Sequence, residues 1–134
     1  MKARRRRRGD DLRAEDQPEG TNLAAVDLTD AELTNANLSS VDLYTSYLNS
    51  ATLTAANLSN AKLNHAELKG ADLRRANLWK ADLRGAYLWR AVGITNECLE
   101  QQASSLKGAT MSDSHKYEDW LKDRGGRKED GENE

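Results

Sequence analysis

Few residues of this chain could carry out catalysis. His65 and His115 are the only histidines, and Cys98 is the only cysteine. Acid–base or nucleophilic catalysis needs such a group beside a partner, and neither histidine has a Cys, Ser or acidic partner at a recognisable spacing. Cys98 falls in the first turn of a predicted helix, where a thiolate is favoured, but no base is identifiable beside it. We therefore predict no catalytic residues and a protein that is not an enzyme.

Motifs for metals and cofactors are also missing from the sequence. It contains no glycine-rich phosphate loop, no Cys-x-x-Cys pair and no His-Glu-x-x-His sequence. Asp and Asn recur in the middle of the chain, but we interpret them as residues that hydrogen-bond neighbouring backbone or water at corners. The sequence therefore predicts no metal site and no cofactor.

A repeat with a period of five residues dominates the middle of the chain. A residue such as Ala, Val, Ser or Thr stands two places before each repeated leucine, and Asp or Asn lies between them in eight of fourteen units. The repeated leucines form the predicted core: Leu23, Leu28, Leu33, Leu38, Leu43, Leu48, Leu53, Leu58, Leu63, Leu68, Leu73, Leu78, Leu83 and Leu88.

Neither a straight helix nor a straight strand buries all of these leucines. Five residues advance about 140° on a helix, so the leucines would be spread over every face. On a strand, an odd spacing puts successive leucines on opposite faces. A chain that bends inward once per unit buries the first and third residues of each unit and leaves the other three in solvent. The pattern therefore predicts an all-β solenoid whose coils rise by about 4.8 Å.

The units AELTN, ANLSS, ANLSN, ADLRR, ANLWK and ADLRG resemble the A(D/N)LXX consensus of the pentapeptide repeat family. The resemblance covers residues 21 to 91 and implies a right-handed quadrilateral β-helix with four units in each coil of twenty residues. Asn37, Asn57 and Asn77 would then stack in one column. Phe, which this family often uses at the central position, is absent from the chain, so we expect a slim core of leucine.

The ends of the repeat region indicate a short helical C-terminal cap. Thr95 is a candidate N-cap for a helix with the sequence NECLEQQA, and a second helix is predicted over 117–123, where Trp120 and Leu121 would cover the last coil. We divide the chain into four parts: a disordered arm with a basic tip and an acidic neck (1–20), the β-helix (21–94), the cap with two repeat-like units between its helices (95–123) and a disordered polar tail (124–134).

Charge is distributed unevenly along the chain. The net charge is −2 overall, −4 in residues 21–60 and +4 in residues 61–91. Trp79 and Trp89 are two units apart, so we predict that they lie on opposite faces. Trp89 is expected to pack either over Lys69, one coil below, or under the capping helix. The candidate partner surface combines the cations and aromatics of the second half: Lys69, Arg74, Arg75, Trp79, Lys80, Arg84, Tyr87, Trp89 and Arg90.

The arm at the N-terminus holds the candidate residues for binding a polyanion, either nucleic acid or anionic lipid. These residues are Arg4, Arg5, Arg6, Arg7 and Arg8. The alternative interpretation is a solvated tail whose own acidic residues partly cancel the arginines.

Two classes of function are therefore open. The first is a non-enzymatic scaffold that presents a rigid surface to a protein partner of unknown identity. The second is a role linked to nucleic acid, through the Arg-rich arm and basic coils or, as the family resemblance implies, through DNA mimicry directed at a topoisomerase such as gyrase. No apolar run approaches the roughly 18 residues of a membrane span. The single cysteine and the lack of a secretory signal predict a cytoplasmic protein, either monomer or dimer.

Overall fold

The structure is a computed structural model that describes residues 21–123, so the predicted arm and tail lie outside the described residues. Its backbone forms parallel β-bridges between residues twenty apart, from Asn22 with Asp42 to Asp72 with Val92. Four units of five residues complete each coil of a right-handed quadrilateral β-helix. Within residues 21–123 the β-structure consists of bridges one residue wide rather than of longer strands.

Four faces run along the solenoid, numbered here in chain order, and each face includes the corner that follows it. The bridged residues of face 1 are Asn22, Asp42, Lys62 and Asp82. Those of face 2 are Asp27, Tyr47, Glu67 and Tyr87. Those of face 3 are Glu32, Thr52, Asp72 and Val92. Face 4 carries the predicted column of Asn37, Asn57 and Asn77.

The corners are tight turns that bend the chain once per unit. The leucine carbonyl of one unit accepts a hydrogen bond from the first N–H of the next unit, as from Ala31 to Leu28 at 3.0 Å. The fifth residue of every unit from Ala25 to Arg90 has a φ between 57° and 70°. The turn begins at the leucine, so the fifth residue of the unit is the third residue of the four-residue turn. A type II turn requires a positive φ at that position. A left-handed residue every fifth position therefore produces the unusual period.

The second residue of each unit stabilises the corner that follows it. Wherever this residue is Asp or Asn, its Oδ1 accepts a hydrogen bond from the backbone N–H two residues later, as from Tyr44 to Asp42 at 3.1 Å. The eight residues that do so are Asn22, Asp27, Asn37, Asp42, Asn57, Asp72, Asn77 and Asp82. This local bond explains the preference for Asp or Asn at the position.

The interior of the solenoid is a stack of leucines and small residues. Leu23, at the first coil, is 8% exposed, and the other thirteen repeated leucines are at most 1% exposed. Ser46 is the buried polar residue of this interior within residues 21–123, and its Oγ has no hydrogen-bond partner there. Its hydroxyl therefore opposes folding, since an unpaired buried donor loses its bonds to water.

We expect Ser46→Ala to raise the free energy of unfolding by about 1–2 kcal/mol, because alanine removes the unpaired hydroxyl. Urea denaturation measures this change. The matched control is Ala66→Ser in the same column one coil later, where the introduced hydroxyl should lower stability by a similar amount. An unchanged urea midpoint for Ser46→Ala would contradict the prediction.

Helix α1, Asn96–Gln102, replaces the face 4 unit of the last coil. Thr95 is its N-cap, and the Thr95 side chain accepts a hydrogen bond from the Cys98 N–H at 3.0 Å. The coil then resumes on face 1, where Ser105 bridges to Asp82. This bridge joins residues 23 apart instead of twenty, because residues 96–103 take the place of a five-residue unit.

Gln102, at the end of α1, substitutes for the missing strand of face 4. Its backbone carbonyl accepts a hydrogen bond from Lys80 N–H at 2.6 Å, and its side-chain Oε1 accepts one from Leu78 N–H at 2.8 Å. One coil below, the equivalent N–H of Leu58 donates to the backbone carbonyl of Asn77 at 2.7 Å. A side-chain amide thus satisfies a backbone donor that would otherwise be unpaired.

A second helix, α2, covers residues 117–123. Its Tyr117 packs against the core, and the Tyr117 hydroxyl donates a hydrogen bond to Glu100 Oε2 of α1 at 3.0 Å. The Trp120 ring lies 5.9 Å from the Tyr117 ring, with 33° between the ring planes. Trp120 and Leu121 are both half-buried, and that they cover the last coil stays a prediction.

Candidate partner surface

The residues predicted to form one partner surface are distributed over all four faces. Face 2 carries Lys69, Tyr87, Trp89 and Arg90. Face 3 carries Arg74 and Arg75, face 4 carries Trp79 and Lys80, and face 1 carries Arg84. Trp79 and Trp89 lie on opposite faces, as their spacing predicted. The four residues of face 2 are therefore the largest group that can contact a single flat partner together.

Trp89 is the centre of the face 2 group. Lys69, one coil below, places its Nζ 5.0 Å from the centre of the Trp89 ring, and Arg90 places its Cζ 4.7 Å from it. The predicted contact between Trp89 and Lys69 is present, and Arg90 adds a second cation. Each cation–π contact contributes about 0.5–1 kcal/mol at an exposed site. These contacts therefore favour the arrangement in which both cations lie against the ring.

Two exposed tyrosines extend this group along face 2. Tyr47 is 44% exposed and Tyr87 is 36% exposed, and Glu67 lies between them in the same bridged column. The two tyrosines are two coils apart, which corresponds to about 10 Å. We name as the aromatic–cation patch the six residues Tyr47, Glu67, Lys69, Tyr87, Trp89 and Arg90.

Asn49 organises the patch from the coil below. Its Nδ2 donates a hydrogen bond to Glu67 Oε1 at 3.1 Å, and its Oδ1 accepts one from the Lys69 backbone N–H at 2.9 Å. Neither Tyr47 nor Asn49 was among the predicted site residues. The signal was nevertheless in the sequence, because the period of twenty puts Tyr47 in the column of Tyr87 and Asn49 in that of Trp89.

The arginines of faces 1 and 3 are paired within their own units. Arg74 Nη2 lies 2.5 Å from Asp72 Oδ2, and Arg84 Nη2 lies 2.5 Å from Asp82 Oδ2. The hydrogen bond from Arg74 lowers the pKa of Asp72 to about 2, and the bond from Arg84 likewise lowers the pKa of Asp82. Each of these two arginines therefore has its charge compensated before any partner binds.

We expect Asp72→Asn to make stability less dependent on pH in acid. The Asp72 pKa is about 2 in the folded chain against an ordinary 3.8. Its ionised form therefore stabilises the fold above about pH 4, and this contribution is lost as the pH falls through 2. Asn keeps the Oδ1 that accepts the corner hydrogen bond but removes the charge. Urea unfolding at pH 4, 3 and 2 measures the effect.

A second variant distinguishes the effect of the ion pair from that of the corner hydrogen bond made by Asp72. Arg74→Gln removes the other partner of the pair and should reduce the acid dependence in the same direction as Asp72→Asn. If both variants lose stability with acid as steeply as the unchanged chain, the pair does not contribute as described.

Neither histidine belongs to the patch, and nor does the cysteine. The His65 ring meets the Tyr44 ring edge-on at 5.9 Å and lies over Gly85, where an added Cβ would come within 2.5 Å of it. Contrary to the expectation from spacing, His115 has an acidic partner, because its Nδ1 lies 3.3 Å from Asp113 Oδ2 on the exposed turn before α2. Cys98 is exposed on α1.

Two further properties concern residues 21–123 as a whole. No group of three or more His, Cys, Asp or Glu side chains in this range is arranged to hold a metal ion. No helix in the same range has the length and apolar character needed to cross a membrane.

The four-sided coils, the leucine stack and the Asx-stabilised corners define a solenoid assembled from five-residue units. Residues 19–49 and 51–90 match the family model for pentapeptide repeats, in eight copies. These residues make up more than half of the chain, and the chain belongs to the pentapeptide repeat family. A search of curated proteins gave no significant match.

Solved structures of this family have similar folds. HetL, a pentapeptide repeat protein involved in heterocyst differentiation regulation in the cyanobacterium Nostoc sp. strain PCC 7120, is 39% identical with a TM-score of 0.61. A pentapeptide repeat protein from the Arabidopsis thaliana thylakoid lumen is 26% identical with a TM-score of 0.56. The matches cover 70% and 71% of this chain, but only 42% of HetL and 61% of the Arabidopsis protein.

Proposed function

We propose that this protein is a non-enzymatic scaffold that presents the aromatic–cation patch of face 2 to a protein partner. The observation that carries the proposal is the Trp89 ring held by Lys69 and Arg90 on a face that also exposes Tyr47 and Tyr87. Trp, Tyr and Arg are the residues most enriched among those that dominate binding energy at protein interfaces.

The rigidity of the face supports the same proposal. Backbone bridges fix the columns of face 2, and Asn49 ties Glu67 and the Lys69 backbone together. Binding through side chains that are already ordered loses less conformational entropy than binding through mobile ones. HetL is described as involved in regulation, a role that binding alone can serve, but this chain spans only 42% of HetL.

The experiment is a capture from native lysate with the full-length chain, with and without nuclease. We expect a protein that survives nuclease and is lost with the double variant Tyr87→Ala/Trp89→Ala. The control is Trp79→Ala, which removes a 53% exposed tryptophan from the opposite face and should leave capture unchanged. Equal capture by the face 2 variant and the unchanged chain would refute the proposed surface.

The second candidate function is the role linked to nucleic acid. The net charge of +4 in residues 61–91 favours direct binding and does not suit DNA mimicry, which needs a negative surface. Loss of all captured material after nuclease would support this candidate, and deletion of residues 1–8 would then test the Arg-rich arm. Direct binding should also weaken steeply with added salt.

Location and assembly are further parts of the proposal. A cytoplasmic location stays a prediction, because one solved relative comes from the thylakoid lumen. Whether the chain acts as a monomer or a dimer is a matter for sedimentation measurements at several protein concentrations.

A further inference from the structure

The cations of the aromatic–cation patch have no acidic partner on their own face. Arg74 and Arg84 are paired with an Asp at the second position of their units. Lys69 has the same position in its unit, whose second residue is Glu67, whereas Arg90 is the fifth residue of a unit whose second residue is Tyr87. Within residues 21–123, Lys69 and Arg90 make their side-chain contacts with the Trp89 ring and form no ion pair.

The one carboxylate of the patch is engaged elsewhere. Glu67 Oε1 accepts a hydrogen bond from Asn49 Nδ2 at 3.1 Å, and the same Asn49 side chain accepts from the Lys69 backbone. Glu67 is therefore held by the coil below it rather than by Lys69 or Arg90. The patch thus displays two cations beside one aromatic ring, and no carboxylate within residues 21–123 forms an ion pair with either of them.

Resting on the proposed function, we infer that the patch binds an acidic segment of the partner protein. Carboxylates of the segment bind Lys69 and Arg90 through charge-assisted hydrogen bonds, which are stronger than those between neutral groups. Contact with a ring face leaves the edge donors of a guanidinium free for such bonds. The remaining part of the segment lies across Trp89 and the exposed rings of Tyr47 and Tyr87.

The composition of face 2 favours an acidic peptide over a nucleic acid. A duplex of useful affinity engages many phosphates, about 6–10 in a typical specific complex. The five-residue units of face 2 offer only two cations within residues 21–123, Lys69 and Arg90. Two cations match a short segment with carboxylates at two contact points better than they match a long row of phosphates.

The test uses Trp89 as a fluorescent reporter in the full-length chain. The variant Trp79→Phe/Trp120→Phe leaves Trp89 as the remaining tryptophan, and the probe is a short poly-L-glutamate peptide titrated at low salt. We expect a saturable change in Trp89 emission. Adding Lys69→Ala/Arg90→Ala should weaken binding by at least about tenfold, which corresponds to 1.4 kcal/mol.

The matched control removes two cations from other faces. Arg75→Ala/Lys80→Ala changes the net charge by the same amount and should bind the peptide as well as the reporter chain does. Equal loss in the two double variants would mean non-specific attraction and would overturn the inference. The inference would also be overturned if a 20-base-pair DNA duplex bound to the chain through Lys69 and Arg90 and poly-L-glutamate did not bind. Urea midpoints check that every variant is folded.

The two proposals fail separately. Suppose that poly-L-glutamate does not bind, yet capture of a protein still depends on Tyr87 and Trp89. The inference of an acidic segment is then wrong, and the proposal that face 2 binds a protein partner is retained. If the peptide binds through Lys69 and Arg90 but capture is independent of Tyr87 and Trp89, the proposed function is wrong instead.

Discussion

Leu53→Ala is expected to lower the free energy of unfolding by about 2–5 kcal/mol. Leu53 is fully buried, and its unit is bridged on both sides, by Glu32 to Thr52 and by Thr52 to Asp72. The backbone on either side of the residue is therefore fixed and cannot close over the space that the missing side chain leaves. A narrow interior with one leucine per unit also offers few neighbours that could move into the cavity.

Urea denaturation followed by far-ultraviolet circular dichroism measures this loss. The control is Thr34→Ala, which truncates an exposed side chain on the same face one coil below and should change stability by less than about 0.5 kcal/mol. If Leu53→Ala cost no more than Thr34→Ala, the leucine stack would not be the main stabilising element.

Gly93→Ala is expected to lower the free energy of unfolding by about 3 kcal/mol. Gly93 has a φ of +90°, and an added Cβ would lie 2.6 Å from the Arg74 backbone nitrogen and 2.7 Å from its Cα. These neighbours are backbone atoms, so they cannot rotate away as a side chain would. The segment after Val92 would have to lift from the coil below, which weakens the last bridge of face 3.

Gly70→Ala is the matched control for this substitution. Gly70 has a similar φ of +70°, but an added Cβ would be 3.6 Å from Ser50 Oγ, an ordinary contact. Alanine already adopts this left-handed conformation at Ala25 and Ala55. The control should therefore cost only about 1 kcal/mol, from backbone strain alone. Equal losses for the two glycines would show that the close approach to Arg74 has no consequence.

The period of the sequence predicted those features that depend on register alone. A spacing of five with a bend in each unit gave the solenoid, and a period of twenty gave the Asn column of face 4 and the placement of Trp89 over Lys69. The same arithmetic separates Arg74, Arg84 and Trp89 onto different faces. The predicted surface nevertheless combined cations that lie on all four faces.

Features that depend on side-chain geometry were beyond the sequence pattern. The rotation of α2 decides that Tyr117 packs on the core. The substitution of Gln102 Oε1 for a strand carbonyl requires that α1 ends at one particular height above Leu78. His115 pairs with Asp113 across Ser114, which is left-handed with a φ of 77°. No periodicity encodes these positions.

The constant spacing of the bridges has a consequence for the folding reaction. Every bridge from Asn22 to Val92 closes a loop of the same length, so the entropy of loop closure does not favour one coil as the starting point. Once two coils have paired, each further coil needs only one more closure of that length on an existing template. Growth can therefore proceed in both directions, and opening begins at the ends. Amide hydrogens of the central coils should accordingly exchange with solvent more slowly than those of the first coil.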